Sequence, residues 1–165
     1  MKVLIIYDSV YGYTEKIALA IAGAITPPDE ARAVRVGNVN RADLSSHDVV
    51  VLGAPTQGGR PTKPVLDFVT GLPGNALANK SVTAFDTRLS AKDKNAALRL
   101  LLKTVGYAAG RMADALTSKG GNLFLPPEGF IVEGREGPLR EGEIERADAW
   151  GKTIAADKGR LREGV

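Results

Sequence analysis

The stretch Lys2-Val-Leu-Ile-Ile-Tyr-Asp-Ser-Val-Tyr-Gly-Tyr-Thr14 joins an apolar run to a loop that is rich in hydroxyl groups and contains a single glycine. The run Lys2–Tyr7 has the continuous apolar character of a central parallel strand that is covered on both faces. A helical pattern, Thr14–Ile25, follows the loop. Because the N–H groups at a helix start and the loop hydroxyls would point donors at one place, this loop suits a phosphate group.

A second loop follows the apolar run Val49–Leu52, and its sequence is Gly53-Ala-Pro-Thr-Gln-Gly-Gly59. Pro55 stiffens this loop, whereas Gly58 and Gly59 widen its choice of backbone conformation. If the two strands are parallel, both loops lie at the same edge of the sheet and share a crevice. Such a crevice is where open α/β sheets bind their ligands.

Strand and helix patterns alternate along the chain, and right-handed crossovers between parallel strands would place helices on both faces of one sheet. We therefore predict a three-layer, doubly wound α/β fold with a five-stranded parallel sheet in the order 2-1-3-4-5, whose switch point lies between the first and third strands. The predicted strands are Lys2–Tyr7, Arg32–Val36, Val49–Leu52, Ser81–Phe85 and Asn122–Leu125. The predicted helices are Thr14–Ile25, Pro64–Thr70, Ala91–Lys103, Gly106–Ser118 and Glu141–Lys158. Ala91–Lys103 and Gly106–Ser118 are either two helices or one helix that is kinked at Gly106.

Two prolines follow the predicted fifth strand, at Pro126 and Pro127. Proline has no N–H group to donate to a β-ladder, so strand pairing should lapse at these positions. The segment Gly129–Glu133 is the one that could resume the pairing.

The length and composition are those of one soluble globular domain, which we expect to span residues 1–165. The absence of cysteine excludes disulfides, thiolate chemistry and cysteine-ligated metals. No apolar stretch approaches the roughly 20 residues of a membrane span, so we expect no membrane insertion and a cytoplasmic protein. His47 is the only histidine, and no cluster of carboxylates accompanies it, so neither a metal site nor a serine triad is expected.

The net charge of +3 is unevenly distributed. Basic residues are concentrated between Arg88 and Lys119, and acidic residues between Glu128 and Asp148. The basic segment has neither the interleaved aromatic residues of single-strand binders nor a motif that reads duplexes. Both segments are therefore interpreted as solvated faces, and no nucleic-acid partner is expected.

Three segments together resemble the flavin-binding loops of flavodoxin-like proteins. The stretch Tyr7-Asp-Ser-Val-Tyr-Gly-Tyr-Thr-Glu-Lys-Ile-Ala18 resembles their phosphate loop, and Asp48-Val-Val-Val-Leu-Gly-Ala-Pro-Thr56 resembles their third strand and second flavin loop. Phe85-Asp-Thr-Arg88 stands where a third flavin loop would begin. The resemblance implies a flavodoxin-like fold, a noncovalently bound FMN and a redox function. In such a protein the flavin performs the chemistry, so no catalytic side chain and no metal are expected.

The resemblance also implies which residues would contact FMN. The phosphate would be bound by the first loop, through Ser9, Val10, Tyr11, Gly12, Tyr13 and Thr14. The isoalloxazine ring would lie against the second loop, along Pro55, Thr56, Gln57, Gly58 and Gly59. The N1/O2 edge of the ring would face Asp86, Thr87 and Arg88, where a cation would stabilise the reduced, anionic flavin and raise its potential.

The chain departs from the family in one respect, because neither Ala54–Thr62 nor Asp86–Lys94 contains an aromatic residue. Typical flavodoxins place the ring between two aromatic side chains from these loops. Tyr11, Tyr13 or Tyr107 could replace them, or a second subunit could cover the ring.

Three functional classes remain open at this stage. The first is an electron carrier that docks on redox partner proteins. The second is an FMN-dependent NAD(P)H:quinone-type reductase that acts on a small quinone-like acceptor. The third is a cofactor-free regulatory domain on the same fold, since a fold alone does not determine function. Both a monomer and a homodimer are compatible with the sequence.

Overall fold

A central sheet with helices on both of its faces organises the computed structural model, which describes residues 1–90, 95–97, 99, 100 and 106–157. The strands are β1 Lys2–Tyr7, β2 Glu30–Arg35, β3 Val49–Pro55, β4 Ser81–Leu89, β5 Asn122–Leu123 and β6 Glu128–Val132. The helices are α1 Tyr13–Ala24, α2 Arg41–Ser46, α3 Lys63–Thr70, α4 Ala108–Ser118 and α5 Glu143–Ala156. Most of the predicted helix Ala91–Lys103 lies outside the described residues.

The order of the strands confirms the predicted topology. The sheet runs β2-β1-β3-β4-β5, and every pairing in it is parallel. β1 lies between β2 and β3, so that Ile5 is opposite Ala33 on one side and Val51 on the other. The carboxyl ends of β1 and β3 are therefore neighbours, and the two loops singled out in the sequence leave the sheet side by side.

The predicted fifth strand is divided into two short strands along one edge of β4. β5 pairs with Ser81 and Val82, and β6 pairs with the other end of β4, from Phe85 to Leu89. The prediction of one strand over Asn122–Leu125 is wrong in its second half, where no ladder forms beyond Leu123. The carbonyl oxygen of Leu125 instead accepts a hydrogen bond from the Thr83 hydroxyl at 3.0 Å. Pairing resumes after the two prolines, as expected.

Apolar side chains cover the sheet on both faces, which explains the continuous apolar runs of the central strands. One layer packs against α2, α3 and α4 and includes Leu4, Ile6, Val50, Leu52, Met112 and Leu116. The other packs against α1 and α5 and includes Val3, Ile5, Ile17, Ile21, Phe85 and Phe130. No helix in the described ranges is both long enough and apolar enough to cross a membrane.

Two glycines permit close packing in the second layer. Gly53 in β3 lies under the ring of Phe85, whose Cζ atom would be 2.2 Å from a Cβ atom at that position. Gly151 in α5 lies against the backbone of α1, and a Cβ atom there would be 2.6 Å from the carbonyl oxygen of Ile21. The two helices therefore touch through their main chains at this point.

We predict that Gly151→Ala destabilises the fold, although alanine normally stabilises a helix relative to glycine by about 0.5–1 kcal/mol. The backbone of α1 cannot give way as a flexible side chain would, so the added methyl group should cost about 1–3 kcal/mol of unfolding free energy. Urea unfolding followed by circular dichroism measures the change. Gly23→Ala in α1 is the matched control, because nothing lies within 4 Å of its added Cβ atom. A Gly151→Ala protein as stable as the Gly23→Ala protein would contradict the described helix contact.

Candidate functional site

The carboxyl ends of β1, β3, β4 and β6 surround a single crevice with a volume of about 380 Å³. This volume lies within the range of about 300–1,000 Å³ that is typical of small-molecule sites. Its walls come from the first loop, the second loop, the end of β4 and the segment after β6. The lining residues are Val10, Tyr11, Tyr13, Thr14, Pro55, Thr56, Gln57, Gly58, Thr87, Arg88, Leu89, Val132 and Arg135.

The first loop leads into α1 and carries backbone N–H groups without partners in the described part of the chain. Gly12 has a φ of 91°, which places it in the left-handed region and turns the chain into the helix. Its N–H group donates to the Ser9 hydroxyl at 3.1 Å. Within the described residues, the N–H groups of Val10, Tyr11 and Tyr13 have no hydrogen-bond acceptor. The loop therefore has several unpaired backbone donors on residues that line the crevice.

Side chains behind the first loop hold it in place. The Asp8 carboxylate accepts a hydrogen bond from Thr62 at 2.6 Å, and Arg35 donates to the carbonyl oxygen of Ser9 at 3.1 Å. Burial and the hydrogen bond donated to Glu15 raise the pKa of the Tyr7 hydroxyl. These contacts connect the loop to β2 and to the start of α3, so its conformation does not depend on the loop residues alone.

The second loop is a tight turn. The N–H groups of Gln57 and Arg60 donate to each other's carbonyl oxygens, at 2.8 Å and 3.1 Å. Gly58 and Gly59 occupy the two central positions with φ values of 57° and 79°, and positive values at both positions characterise a type I′ turn. Gly58 lines the crevice, whereas Gly59 is buried and does not.

Thr56 and Asp86 contribute to the start of α4. The hydroxyl of Thr56 accepts a hydrogen bond from the N–H group of Ala108 at 3.1 Å. Asp86 is completely buried, and its carboxylate accepts from the N–H group of Ala109 at 2.8 Å. The Thr56 hydroxyl and the Asp86 carboxylate thus accept from N–H groups that would otherwise have no partner at the start of the helix.

Arg88 is paired with that same carboxylate. Its Nε and Nη2 atoms donate to the two oxygen atoms of Asp86 at 2.6 Å and 2.8 Å. The guanidinium group also lies 3.7 Å from the ring centre of Tyr107 and fills the space above Gly129. Arg88 still lines the crevice, but Asp86 offsets its charge, so its effect on an anion there is weaker than that of an unpaired arginine.

The predicted site residues fall into two groups in the structure. Ten of the fourteen line the crevice, and two of these, Thr14 and Thr87, are joined by a hydroxyl–hydroxyl hydrogen bond of 2.8 Å. Ser9, Gly12, Gly59 and Asp86 do not line it. Both Tyr11 and Tyr13 are at the crevice, whereas Tyr107 lies against Arg88.

Sequence reasoning missed Leu89, Val132 and Arg135 as lining residues. Val132 and Arg135 belong to a hairpin that we call the tail hairpin, residues 132–140, in which Val132 pairs with Leu139 in antiparallel fashion. The glycines at Gly134 and Gly137 are a local signal for a turn, although no turn was predicted here. Its closeness to the first loop, however, depends on β6 lying beside β4, which local spacing does not reveal.

Contacts at both ends of the tail hairpin hold it in place. Glu133 donates through its N–H group to the carbonyl oxygen of Pro138 at 2.8 Å, and its carboxylate pairs with Arg140 at 2.9 Å. Gly137 lies directly on the ring of Tyr13, because a Cβ atom there would be 2.1 Å from the ring. The hairpin therefore rests against the first turn of α1.

A buried carboxylate connects α5 to β6 just before this hairpin. Glu143 accepts hydrogen bonds from the N–H group of Ile131 and from Arg146, both at 2.6 Å. Arg146 also pairs with Glu128 at 3.0 Å and lies over the ring of Phe130. Burial alone would raise the pKa of Glu143, but the hydrogen bonds from Arg146 and Ile131 outweigh it and hold this pKa below its ordinary value. Part of the acidic tail is thus internally paired rather than solvated.

We predict that Asp86→Asn destabilises the protein by about 2–4 kcal/mol, because it leaves Arg88 without its carboxylate in a largely buried position. Thermal and urea unfolding measure the loss. Asp67→Asn is the matched control, since Asp67 also pairs with a cation, Lys63, but at the exposed surface of α3. Such surface ion pairs contribute little to the free energy of unfolding. Equal effects of the two substitutions would contradict the arrangement described for Asp86.

We predict a pH-dependent effect for Glu143→Gln. A carboxylate with a lowered pKa in the folded state contributes stability that is complete above its unfolded pKa, about 4.3, and is lost as the pH falls through the folded value. The variant should therefore lose about 1–3 kcal/mol of unfolding free energy at neutral pH, and the gap to the natural protein should narrow as the pH falls below the unfolded pKa and through the folded one. Urea unfolding across this range measures both effects. Glu133→Gln, at an exposed pair, should show little change, and a gap that stays constant with pH would refute the assignment.

Comparisons with known proteins agree with the fold. The model of the flavodoxin-domain family matches residues 4–127. A flavodoxin from the domain Archaea is 18% identical, with a TM-score of 0.72 over 98% of this chain and 99% of that one. Oxidised flavodoxin 2 from Bacillus cereus is 22% identical, with a TM-score of 0.72 over the whole of both chains.

A larger enzyme contains a similar unit. Rubredoxin oxygen:oxidoreductase from Desulfovibrio gigas is 21% identical, with a TM-score of 0.70 over 97% of this chain but only 37% of its own length. A search of curated proteins finds no match. Because the family model covers most of the sequence and its segment includes the first and second loops, the chain belongs to the flavodoxin-domain family.

Proposed function

We propose that this protein binds FMN in the crevice and transfers electrons through it. The observation that carries the proposal is the chemistry of the lining, which combines unpaired backbone donors with cationic side chains. None of the described residues that line the crevice is acidic, and its two charged side chains are Arg88 and Arg135. A phosphate dianion fits such a lining, whereas a cation does not.

The phosphate end of FMN fits the first loop. The N–H groups of Val10, Tyr11 and Tyr13 are free to donate, and the start of α1 adds the positive end of its dipole. Nothing lies within 4 Å of a Cβ atom built at Gly12, so the approach to the loop is clear there. Ser9 orients the loop by accepting from Gly12 rather than by facing the ligand.

The ring end fits the apolar part of the lining. Pro55, Leu89 and Val132 offer apolar surface, and Tyr11 is 46% exposed at the rim, where its ring can lie against a planar ligand. We therefore assign Tyr11 as the aromatic residue that contacts the flavin ring. It takes the place of the aromatic residues that Ala54–Thr62 and Asp86–Lys94 lack.

Bound FMN would supply the chemistry, because its ring system accepts and donates electrons. The side chains would bind and orient it. The hydroxyl groups of Thr14 and Thr87 are hydrogen-bonded to each other, which joins the start of α1 to β4. The N–H group of Thr56 donates to the carbonyl oxygen of Thr87 at 2.9 Å, which connects the second loop to the same strand.

An electron carrier is the form of this function that we favour, because the rim carries exposed apolar side chains suited to brief contact with a partner. Val10 is 51% exposed and Leu89 is 37% exposed. A reductase that uses NAD(P)H and a quinone-type acceptor is the second candidate. It is favoured because a planar nicotinamide or quinone could approach the flavin ring beside Tyr11. Steady-state NAD(P)H oxidation with a quinone and no partner protein separates the two, since turnover indicates a reductase.

We predict that the protein purified with FMN keeps a flavin absorption spectrum through gel filtration. We also predict that the substitution Ser9→Asp weakens FMN binding at least about tenfold. A negative charge behind the first loop would repel the phosphate, and a tenfold loss corresponds to about 1.4 kcal/mol. Fluorescence titration of FMN measures the affinity. Ser45→Asp, on the exposed surface of α2, is the control and should bind as tightly as the natural protein. Loss of all flavin from the natural protein on gel filtration would refute the proposal and favour a cofactor-free domain.

A further inference from the structure

We propose that Arg135, in the tail hairpin, supplies a cation to the phosphate end of the crevice and is a binding residue for the phosphate group of FMN. This inference rests on the proposed function, because it concerns the same ligand. The resemblance to flavodoxin-like proteins did not identify Arg135, which lies far along the chain from all three flavin loops.

The first argument is the balance of charge in the crevice. The first loop contains no lysine or arginine, so its own groups would bind a dianion with neutral donors alone. Arg88 lines the crevice but is paired with the buried carboxylate of Asp86 through two hydrogen bonds. Arg135 is exposed and forms no ion pair with any residue in the described part of the chain. It is therefore the lining cation whose charge is available to a ligand.

The second argument is where the tail hairpin rests. Gly137 lies against the ring of Tyr13, and Tyr13 is the first residue of α1. The hairpin thus approaches the crevice from the side of the first loop. Arg135, two residues before Gly137, lines the same cavity as Tyr11 and Thr14. A long arginine side chain at this position can reach a ligand group bound at the start of the helix.

The third argument is that the hairpin is a fixed platform rather than a loose loop. Its strands are joined by hydrogen bonds from Glu133 to Pro138 and from Arg140 to Ile131, both 2.8 Å long. The carboxylate of Glu133, the acidic group two residues before Arg135, is itself paired with Arg140. Glu133 is therefore engaged with Arg140. The adjacent Glu136 is exposed and forms no ion pair with Arg135 or with any other residue in the described part of the chain, and the backbone that carries Arg135 has a defined position.

A charge-assisted hydrogen bond to phosphate is about twice as strong as a neutral one, so the loss of Arg135 should be measurable as a change in affinity. Riboflavin has the same ring and side chain as FMN but no phosphate. The effect of Arg135 should therefore fall on FMN and spare riboflavin. This difference separates a phosphate contact from a contact to the ring.

The test is a set of fluorescence titrations of FMN and riboflavin with the natural protein, Arg135→Gln, Arg135→Lys and Arg41→Gln. We expect Arg135→Gln to weaken FMN binding at least about tenfold and riboflavin binding less than about twofold. Arg135→Lys should retain part of the affinity, because it keeps the charge but loses the planar donor geometry. Arg41→Gln removes the same charge from an exposed position on α2 that does not line the crevice, and should leave both affinities unchanged.

Two results would overturn the inference while leaving the proposed function in place. One is unchanged FMN affinity in Arg135→Gln, and the other is an equal loss for FMN and riboflavin, which would mean a contact to the ring or a structural role. If the natural protein binds neither flavin, the proposed function fails and the inference fails with it. Thermal unfolding of each variant identifies any loss of affinity that comes from misfolding.

Discussion

The buried carboxylate of Asp86 is the interaction on which the walls of the crevice depend. It lies in the second half of β4 with no exposed surface, accepts a hydrogen bond from the first turn of α4 and pairs with Arg88 on its own strand. Arg88 in turn lies over Tyr107 and fills the space above Gly129 in β6. One side chain thus fixes a helix start, a strand end and the neighbouring strand, because burial of a charge is tolerated only when every partner is present.

The divided strand at the edge of the sheet has a direct effect on the site. Pro126 and Pro127 interrupt the ladder, so β6 pairs only with the carboxyl-terminal part of β4, from Phe85 to Leu89. After β6 the chain turns back as the tail hairpin. That hairpin reaches the first turn of α1 at Tyr13. The crevice is therefore closed on its fourth side by residues that come after all of the loops recognised in the sequence.

Much of the fold could be predicted from the sequence, because hydrophobic periodicity and the two prolines are local signals. The strand order followed from the alternation of elements, and the interruption at Pro126 from the missing donors. The role of Asp86 could not be predicted, since its partner in α4, Ala109, is distant in sequence and donates through its backbone. Arg135 was missed for a similar reason: its position depends on which strand lies beside β4, and no local spacing encodes that.

The main-chain contact between α1 and α5 at Gly151 has a mechanical consequence. The atoms of α1 that lie nearest to Gly151 belong to the backbone of Ile21 and to the methyl group of Ala24. Neither is a flexible side chain that could absorb a displacement, so a shift of one helix displaces the other. The amides that face the crevice stand at the opposite end of α1. The position of the backbone donors at the start of α1 therefore depends in part on α5, which packs against the other end of the same helix.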